Sequence, residues 1–228
     1  MPPIKPTKRR RSPQKPSESG NSNQARVVAI LGATGTGKTT KLKAQIASLP
    51  NAHRSMVWSP KEPVDRYVDL FPGSVLVRSA DEVRKHLSAA WPNKPVHLVY
   101  WSRLDFDEDT KQFDQVCRYC MDGKNINLFV DEAHTVTRPG WAPRGWKQVV
   151  LMGRGYGMGM YVMSQRPTGI DKEFWSNTSR VNVGRMSFGS DCKTVAEALG
   201  VPWREIANLS GFQWIERDMF TGKVTRGS

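Results

Sequence analysis

From Arg26 onward the chain alternates short apolar, β-branched runs with longer stretches of helix-forming composition. Arg26–Leu31 (RVVAIL) reads as a buried strand that ends in a glycine-rich loop. Residues 39–49 predict a helix, 55–58 and 74–77 shorter strands, 80–91 a helix, and Val96–Trp101 (VHLVYW) a strand. Residues 107–121 predict a helix whose first turn carries Asp107, Glu108 and Asp109, which complement the positive end of the helix dipole. Ile126–Val130 is the next strand, followed by a helix at 146–154 and strands at 158–164 and 180–183. Residues 192–199 and 204–209 predict helices, and a terminal hairpin within 211–226 turns at Thr221-Gly222. Strands alternating with helices predict an α/β fold, a mainly parallel sheet with helices on both faces.

Chemistry sits at the ends of these strands. Gly32-Ala33-Thr34-Gly35-Thr36-Gly37-Lys38-Thr39 matches G-x-x-x-x-G-K-[ST] between a strand and a helix, and Thr40 follows it. Glycines let successive backbone N–H groups turn inward toward phosphate oxygens, and the helix N-terminus adds partial positive charge. Lys38 would bridge the outer phosphates of ATP, and Thr39 would hold Mg²⁺. The strand at 126–130 ends in Asp131 and Glu132; strand alternation sends them to opposite sides, Asp131 toward Mg²⁺ and Glu132 toward an attacking water. The strand at 158–164 ends in Ser164-Gln165-Arg166-Pro167, with Gln165 placed to sense the terminal phosphate. Arg154, in a glycine-rich turn just upstream, is a candidate for stabilising transferred phosphoryl charge.

The charge changes the picture of the partner. The 228 residues hold 34 Lys+Arg against 21 Asp+Glu, a net +13. Residues 1–25 carry six basic residues and one acidic, a net +5, amid Pro, Ser, Gln and Asn, and predict a disordered basic tail. The remaining +8 lies on residues 26–228, so this domain is basic in its own right and suits a polyanion, nucleic acid first. No apolar run is long enough to span a bilayer, and three cysteines argue against a disulfide scaffold. Cys117 and Cys120 have C-x-x-C spacing but lack a second ligand pair, and read as ordinary helix residues. Residues 137–146, with Arg138, Trp141, Arg144 and Trp146 among prolines and glycines, form the best candidate for a DNA-contacting loop. Trp141 and Trp146 are the tryptophans with a possible role outside the core.

GATGTGKT (32–39), LFVDEAH (128–134) and GRGYGMGMYVMSQRP (153–167) together resemble the FtsK–HerA superfamily of DNA-pumping ATPases, and the match runs from Arg26 to about Leu199. The small size is similar to the genome-packaging ATPases of tailless, membrane-containing icosahedral viruses. The resemblance implies a RecA-like P-loop core, a ring (usually hexameric), Glu132 as catalytic base, Gln165 as sensor, and an arginine reaching across the subunit boundary. Arg154 occupies the matching position for that arginine; Arg180 and Arg185 are rivals. It further implies non-sequence-specific, double-stranded DNA as substrate, capsid or vertex proteins as partners, and a place in the virion and host cytoplasm. A P-loop kinase and a nucleotide-gated, non-enzymatic assembly factor are the alternatives. Between Val57 and Trp101 no family pattern is readable.

Overall fold

The computed structural model describes residues 26–49, 53–91 and 94–228; the basic tail at 1–25 lies outside the described residues. Chain order is β1 (Arg26–Leu31), α1 (Lys38–Ala47), β2 (Arg54–Ser59), a short α2 (Glu62–Asp65) with a 3₁₀ turn at Tyr67–Leu70, β3 (Val75–Val77), α3 (Ala80–Ala89) and β4 (Val96–Trp101). Then follow α4 (Phe106–Gly123), β5 (Ile126–Val130), α5 (Arg144–Met152), β6 (Gly159–Ser164), α6 (Lys172–Asn177), β7 (Arg180–Gly184), α7 (Gly189–Leu199), α8 (Trp203–Ala207) and the hairpin β8 (Trp214–Asp218) and β9 (Val224–Gly227).

Helix starts are chemically marked. The Ser79 side chain accepts from the Glu82 N–H at 3.3 Å to open α3, and Glu82 reaches back to the Arg78 N–H. Asp105 accepts from the N–H groups of Asp107 and Glu108, both at 3.1 Å, to open α4.

The nine strands run in the order β3-β4-β2-β5-β6-β1-β7-β8-β9. The first seven positions pair in parallel, and β7, β8 and β9 pair antiparallel. Parallel pairing puts every strand-to-helix loop from β1, β2, β4, β5, β6 and β7 at one edge of the sheet. The register is close: Leu31 of β1 lies opposite Ser164 of β6, and Val130 of β5 opposite Val162. One strand, β6, therefore separates the strand before the glycine loop from the strand that ends in the acid pair.

The two faces of the sheet are covered unequally. α1 and the 3₁₀ segment cover one face, where Leu42, Ile46 and Tyr67 meet Val28, Ile30, Val57, Phe129 and Tyr161. The larger core lies on the other face, beneath α3, α4, α5, α6 and α7. Cys117 and Cys120 are buried there on α4, and burial pushes both thiols up, Cys120 to about 12. They are core residues, as their sequence context suggests.

Trp146 departs from the sequence reading. It is fully buried, with ring centroids 5.7 Å from Phe113 and 5.8 Å from Phe174. The reason is the register of α5, which starts at Arg144 rather than 146 and turns Trp146, Val149 and Val150 inward. Gly145 is tied to α4 by its N–H to Asp114 Oδ1, and any Cβ there would clash with the Asp114 carbonyl. Trp141, by contrast, is 46% exposed. Trp146→Ala is expected to cost about 3–5 kcal/mol in chemical denaturation and Trp141→Ala less than about 0.5 kcal/mol. Equal costs would place the two rings in equivalent environments and contradict this packing.

Candidate functional site

The loop between β1 and α1 is built to bring backbone N–H groups inward. Gly35 and Gly37 adopt φ of 79° and 81°, in the left-handed region that glycine enters without strain. The flanks are anchored from both sides. Gly32 N–H donates to the Ser164 carbonyl of β6 at 3.3 Å, and Ala33 N–H to the Arg185 carbonyl after β7 at 2.7 Å. Thr36 Oγ1 and Lys38 Nζ both donate to the Ala33 carbonyl at 2.8 Å, so the lysine lies back across the loop. Burial lowers the Lys38 pKa; the negative charge of Glu132 opposes this, and Lys61 adds to the lowering. Thr39 and Thr40 stand in the first turn of α1.

At the end of β5 the acid pair does not follow strand alternation. The strand stops at Val130, and Glu132 takes the left-handed conformation, φ 51° and ψ 54°. For a non-glycine residue this costs on the order of 1–3 kcal/mol and is held only by surrounding contacts. Both carboxylates consequently reach toward the segment that follows β2, rather than opposite faces of the sheet. Asp131 is fully buried; its Oδ2 accepts from Tyr67 Oη at 3.4 Å, while Oδ1 has no hydrogen-bond partner among the described residues. Burial, with the like charges of Glu132 and Asp65, lifts its pKa to about 8.

Glu132 is 3% exposed and densely held. Lys61 Nζ pairs with its Oε1 at 2.5 Å, and the Gln165 N–H donates to its Oε2 at 3.2 Å. His134 Nδ1 stands 3.4 Å from Oε2 and 3.0 Å from Ser164 Oγ. Burial lowers the His134 pKa, with Glu132 opposing, which favours the neutral ring. Burial would lower Lys61 too, but its hydrogen bond and charge contact with Glu132 prevail and raise it. Gln165 closes the circuit, because its Oε1 accepts from Thr34 Oγ1 of the glycine loop at 3.1 Å. Thus Lys38, Glu132 and Gln165 gather at one edge with the glycine loop.

The arginines separate by position. Arg154 lies in the turn before β6, at the amino edge of the sheet, where Gly159 pairs with Arg26. A six-residue strand, roughly 17 Å, divides that edge from the glycine loop. Arg180 begins β7 and its Nη2 donates to Gln45 Oε1 at 3.3 Å. Arg185 follows β7 on the loop edge, where its carbonyl carries Ala33. Arg138 and Trp141 exchange two backbone hydrogen bonds as an isolated bridge, and the Arg138 guanidinium lies 4.1 Å from the Phe106 ring centre. Arg144 opens α5 behind them.

Sequence reasoning missed Lys61, Asp65 and Tyr67, which lie in the stretch without a readable pattern. Their loop is organised by the buried Glu62, which accepts from the N–H groups of Tyr67 (3.1 Å) and Val68 (2.8 Å). The available signal was Lys61-Glu62-Pro63 directly after a strand end: a charged pair at the loop edge of a fully buried strand.

Glycine loop after β1, acid pair after β5 and amide after the intervening β6 define a RecA-like P-loop NTPase core. No protein-family model matches the chain. Protein P9 of Pseudoalteromonas phage PM2 is 24% identical over 188 residues, 79% of this chain and 78% of that protein. Among solved structures, the genome packaging NTPase B204 of Sulfolobus turreted icosahedral virus 2, in complex with AMPPCP, aligns with TM-score 0.69 and 10% identity, covering 90% of this chain and 97% of that one. The DNA-packaging ATPase B204 of Sulfolobus turreted icosahedral virus gives TM-score 0.67 and 14% identity over 90% and 98% of the two chains. The bacterial conjugative coupling protein TrwBdeltaN70 gives 0.63 and 12% over 88% and 84%. These likenesses establish the fold, and the neighbours match the resemblance carried by the motifs.

Lys61→Met is expected to destabilise the protein by about 1–3 kcal/mol in urea denaturation, below the full cost of breaking a buried pair because the ammonium is half exposed. Lys61→Arg should recover most of that loss. A Lys61→Met variant as stable as the parent would mean that Glu132 does not depend on this cation.

Proposed function

We propose that this chain is an ATP-hydrolysing DNA translocase that packages a viral genome into a preformed capsid, acting as a homo-oligomeric ring, in most such motors a hexamer. The observation that carries the reading is the circuit Thr34–Gln165–Glu132–Lys61, which joins the glycine loop to the acid pair through the strand between them. A site that only bound nucleotide would not need a buried carboxylate held in a left-handed backbone beside the phosphate loop.

In this reading residues 32–40 receive the phosphates of ATP, with backbone N–H groups and Lys38 as donors. Thr39 and Asp131 fit a magnesium ion: both offer hard oxygens, and Asp131 Oδ1 is buried without a partner among the described residues. Magnesium bound there would offset charge on the outer phosphates. Glu132 accepts the proton of the attacking water, and Gln165 orients that water or reports the terminal phosphate to Glu132 through its own N–H. Lys61 holds the Glu132 carboxylate in place through their ion pair.

Arg154 is supplied to the neighbouring subunit, since its own glycine loop is a strand length away. The substrate is duplex DNA held without sequence preference, as the +8 charge of residues 26–228 favours. Arg138, Trp141 and Arg144 contact it, and capsid or vertex proteins seat the ring. No helix among the described residues is long and apolar enough to cross a membrane, and the proposed setting is the virion and the host cytoplasm.

Phosphate release with and without duplex DNA tests the central reading. Glu132→Gln should bind ATP and lose turnover by about 10²–10⁴-fold; normal turnover would remove Glu132 as the base. The joint change Arg138→Ala, Arg144→Ala should abolish stimulation by DNA and leave basal turnover intact.

Subunit mixing tests Arg154. Arg154→Ala should lower turnover by on the order of 10³-fold or more. An equal mixture with Glu132→Gln, itself inactive, should regain activity, because some interfaces then pair an intact Glu132 with an intact Arg154. A mixture no more active than its parts would argue for action within one subunit.

A further inference from the structure

Phe212 is out of place for a side chain of its kind. It is 66% exposed, among the most open large apolar residues of the described chain. It nevertheless lies against the glycine loop: its Cδ1 is 3.4 Å, and its Cε1 3.8 Å, from where a Cβ on Gly37 would stand. Gly37 is the residue that caps α1 and closes the phosphate loop. A side chain at 37 would be strained by its φ of 81°, and its Cβ would stand in van der Waals contact with this ring.

The ring is held there by a built turn. Ser210 N–H and Oγ donate to Gln213 Oε1 at 3.0 and 3.1 Å, and the Gln213 N–H returns to the Ser210 carbonyl at 3.0 Å. Gly211 between them adopts φ 54°. β8, which follows, is fixed to the core strand β7. The turn thus carries an aromatic tip from the far hairpin to the mouth of the loop. The other aromatic on this stretch, Trp214, is occupied by Lys41, whose Nζ lies 4.6 Å from its ring centre.

We infer that Phe212 is the stacking platform for the base of a nucleotide whose phosphates sit in residues 32–39. The inference rests on the P-loop reading above and adds the base subsite to it. A loop that binds phosphates through its backbone leaves the sugar and base to lie outside it, beside the start of α1. There the Phe212 ring offers a flat apolar surface that water now wets. Stacking on an aromatic ring is tolerant of base identity, so the platform supplies affinity and the chain selects by phosphates.

Isothermal titration of the full chain with ADP, ATPγS and inorganic tripolyphosphate tests this. Phe212→Ala should weaken ADP and ATPγS by about tenfold each and leave tripolyphosphate unchanged, and Phe212→Trp should restore both nucleotides. Unchanged ADP affinity in Phe212→Ala would overturn the platform, including where the variant changes assembly size, which would make the ring a subunit contact. Equal losses for nucleotide and tripolyphosphate would also overturn it, because the ring would then be shaping the phosphate loop. If the parent chain binds none of the three ligands, or Lys38→Ala binds them as the parent does, the P-loop reading fails and the platform with it.

Discussion

The buried carboxylate of Glu132 is the constraint on which the rest of the site depends. A carboxylate that is 3% exposed must find donors or lose its charge. Here the donors come from two other strand ends: Lys61 after β2 and the Gln165 N–H after β6. Holding all of them within hydrogen-bond reach requires β2, β5 and β6 to be neighbours in parallel, which is the observed order. It also requires the left-handed turn at Glu132, since an extended residue would send the carboxylate to the other face. The strain of that turn and the burial of the charge are both offset by the same two contacts.

Parallel pairing gives the molecule two unlike edges. At the carboxyl edge lie the glycine loop, the acid pair, Gln165 and the Lys61 loop. At the amino edge lies Arg154. The same sheet that gathers the carboxyl-edge groups therefore keeps this arginine away from them within one chain. An arginine so placed contributes to a phosphate only where the amino edge of one copy meets the carboxyl edge of another. Head-to-tail contacts of that kind form a ring where the rotation closes, which is the assembly proposed above.

Much of the sheet was legible because its strands are buried on both faces and read as unbroken apolar runs. Arg26–Leu31, Val96–Trp101 and Ile126–Val130 appear with the expected bounds. The phosphate loop was legible because its glycines are required by backbone geometry. Three things were not. α6 (Lys172–Asn177) is too short to show a period. The turn at Glu132 depends on contacts from distant segments, and alternation gives no warning of it. The Lys61 loop is organised by one buried carboxylate, Glu62, whose partners are backbone N–H groups and leave no mark in the sequence. Trp146 was misread for a related reason: the Phe113 and Phe174 rings that enclose it come from distant segments, and the Pro- and Gly-rich stretch before it reads as loop.

The site is also continuous with the surface that carries Arg138 and Trp141. After Glu132 the chain makes one 3₁₀ turn, Ala133–Thr135. Thr137 Oγ1 then donates to the Ala133 carbonyl at 3.0 Å and lies 3.1 Å from the Gly169 carbonyl on the segment after Gln165. The loops after β5 and β6 are thereby clamped to each other just beyond Glu132 and Gln165. The Arg138–Trp141 bridge begins at the next residue. Between Glu132 and the exposed Trp141 there is no free linker: there is one turn, one double contact and one closed bridge. The Thr137 clamp and the Arg138–Trp141 bridge thus stand next in line to the contacts of Glu132 and Gln165. Packed elements of this kind leave little room for one to shift alone, and this short path joins the Glu132–Gln165 contacts to the surface that carries Arg138 and Trp141.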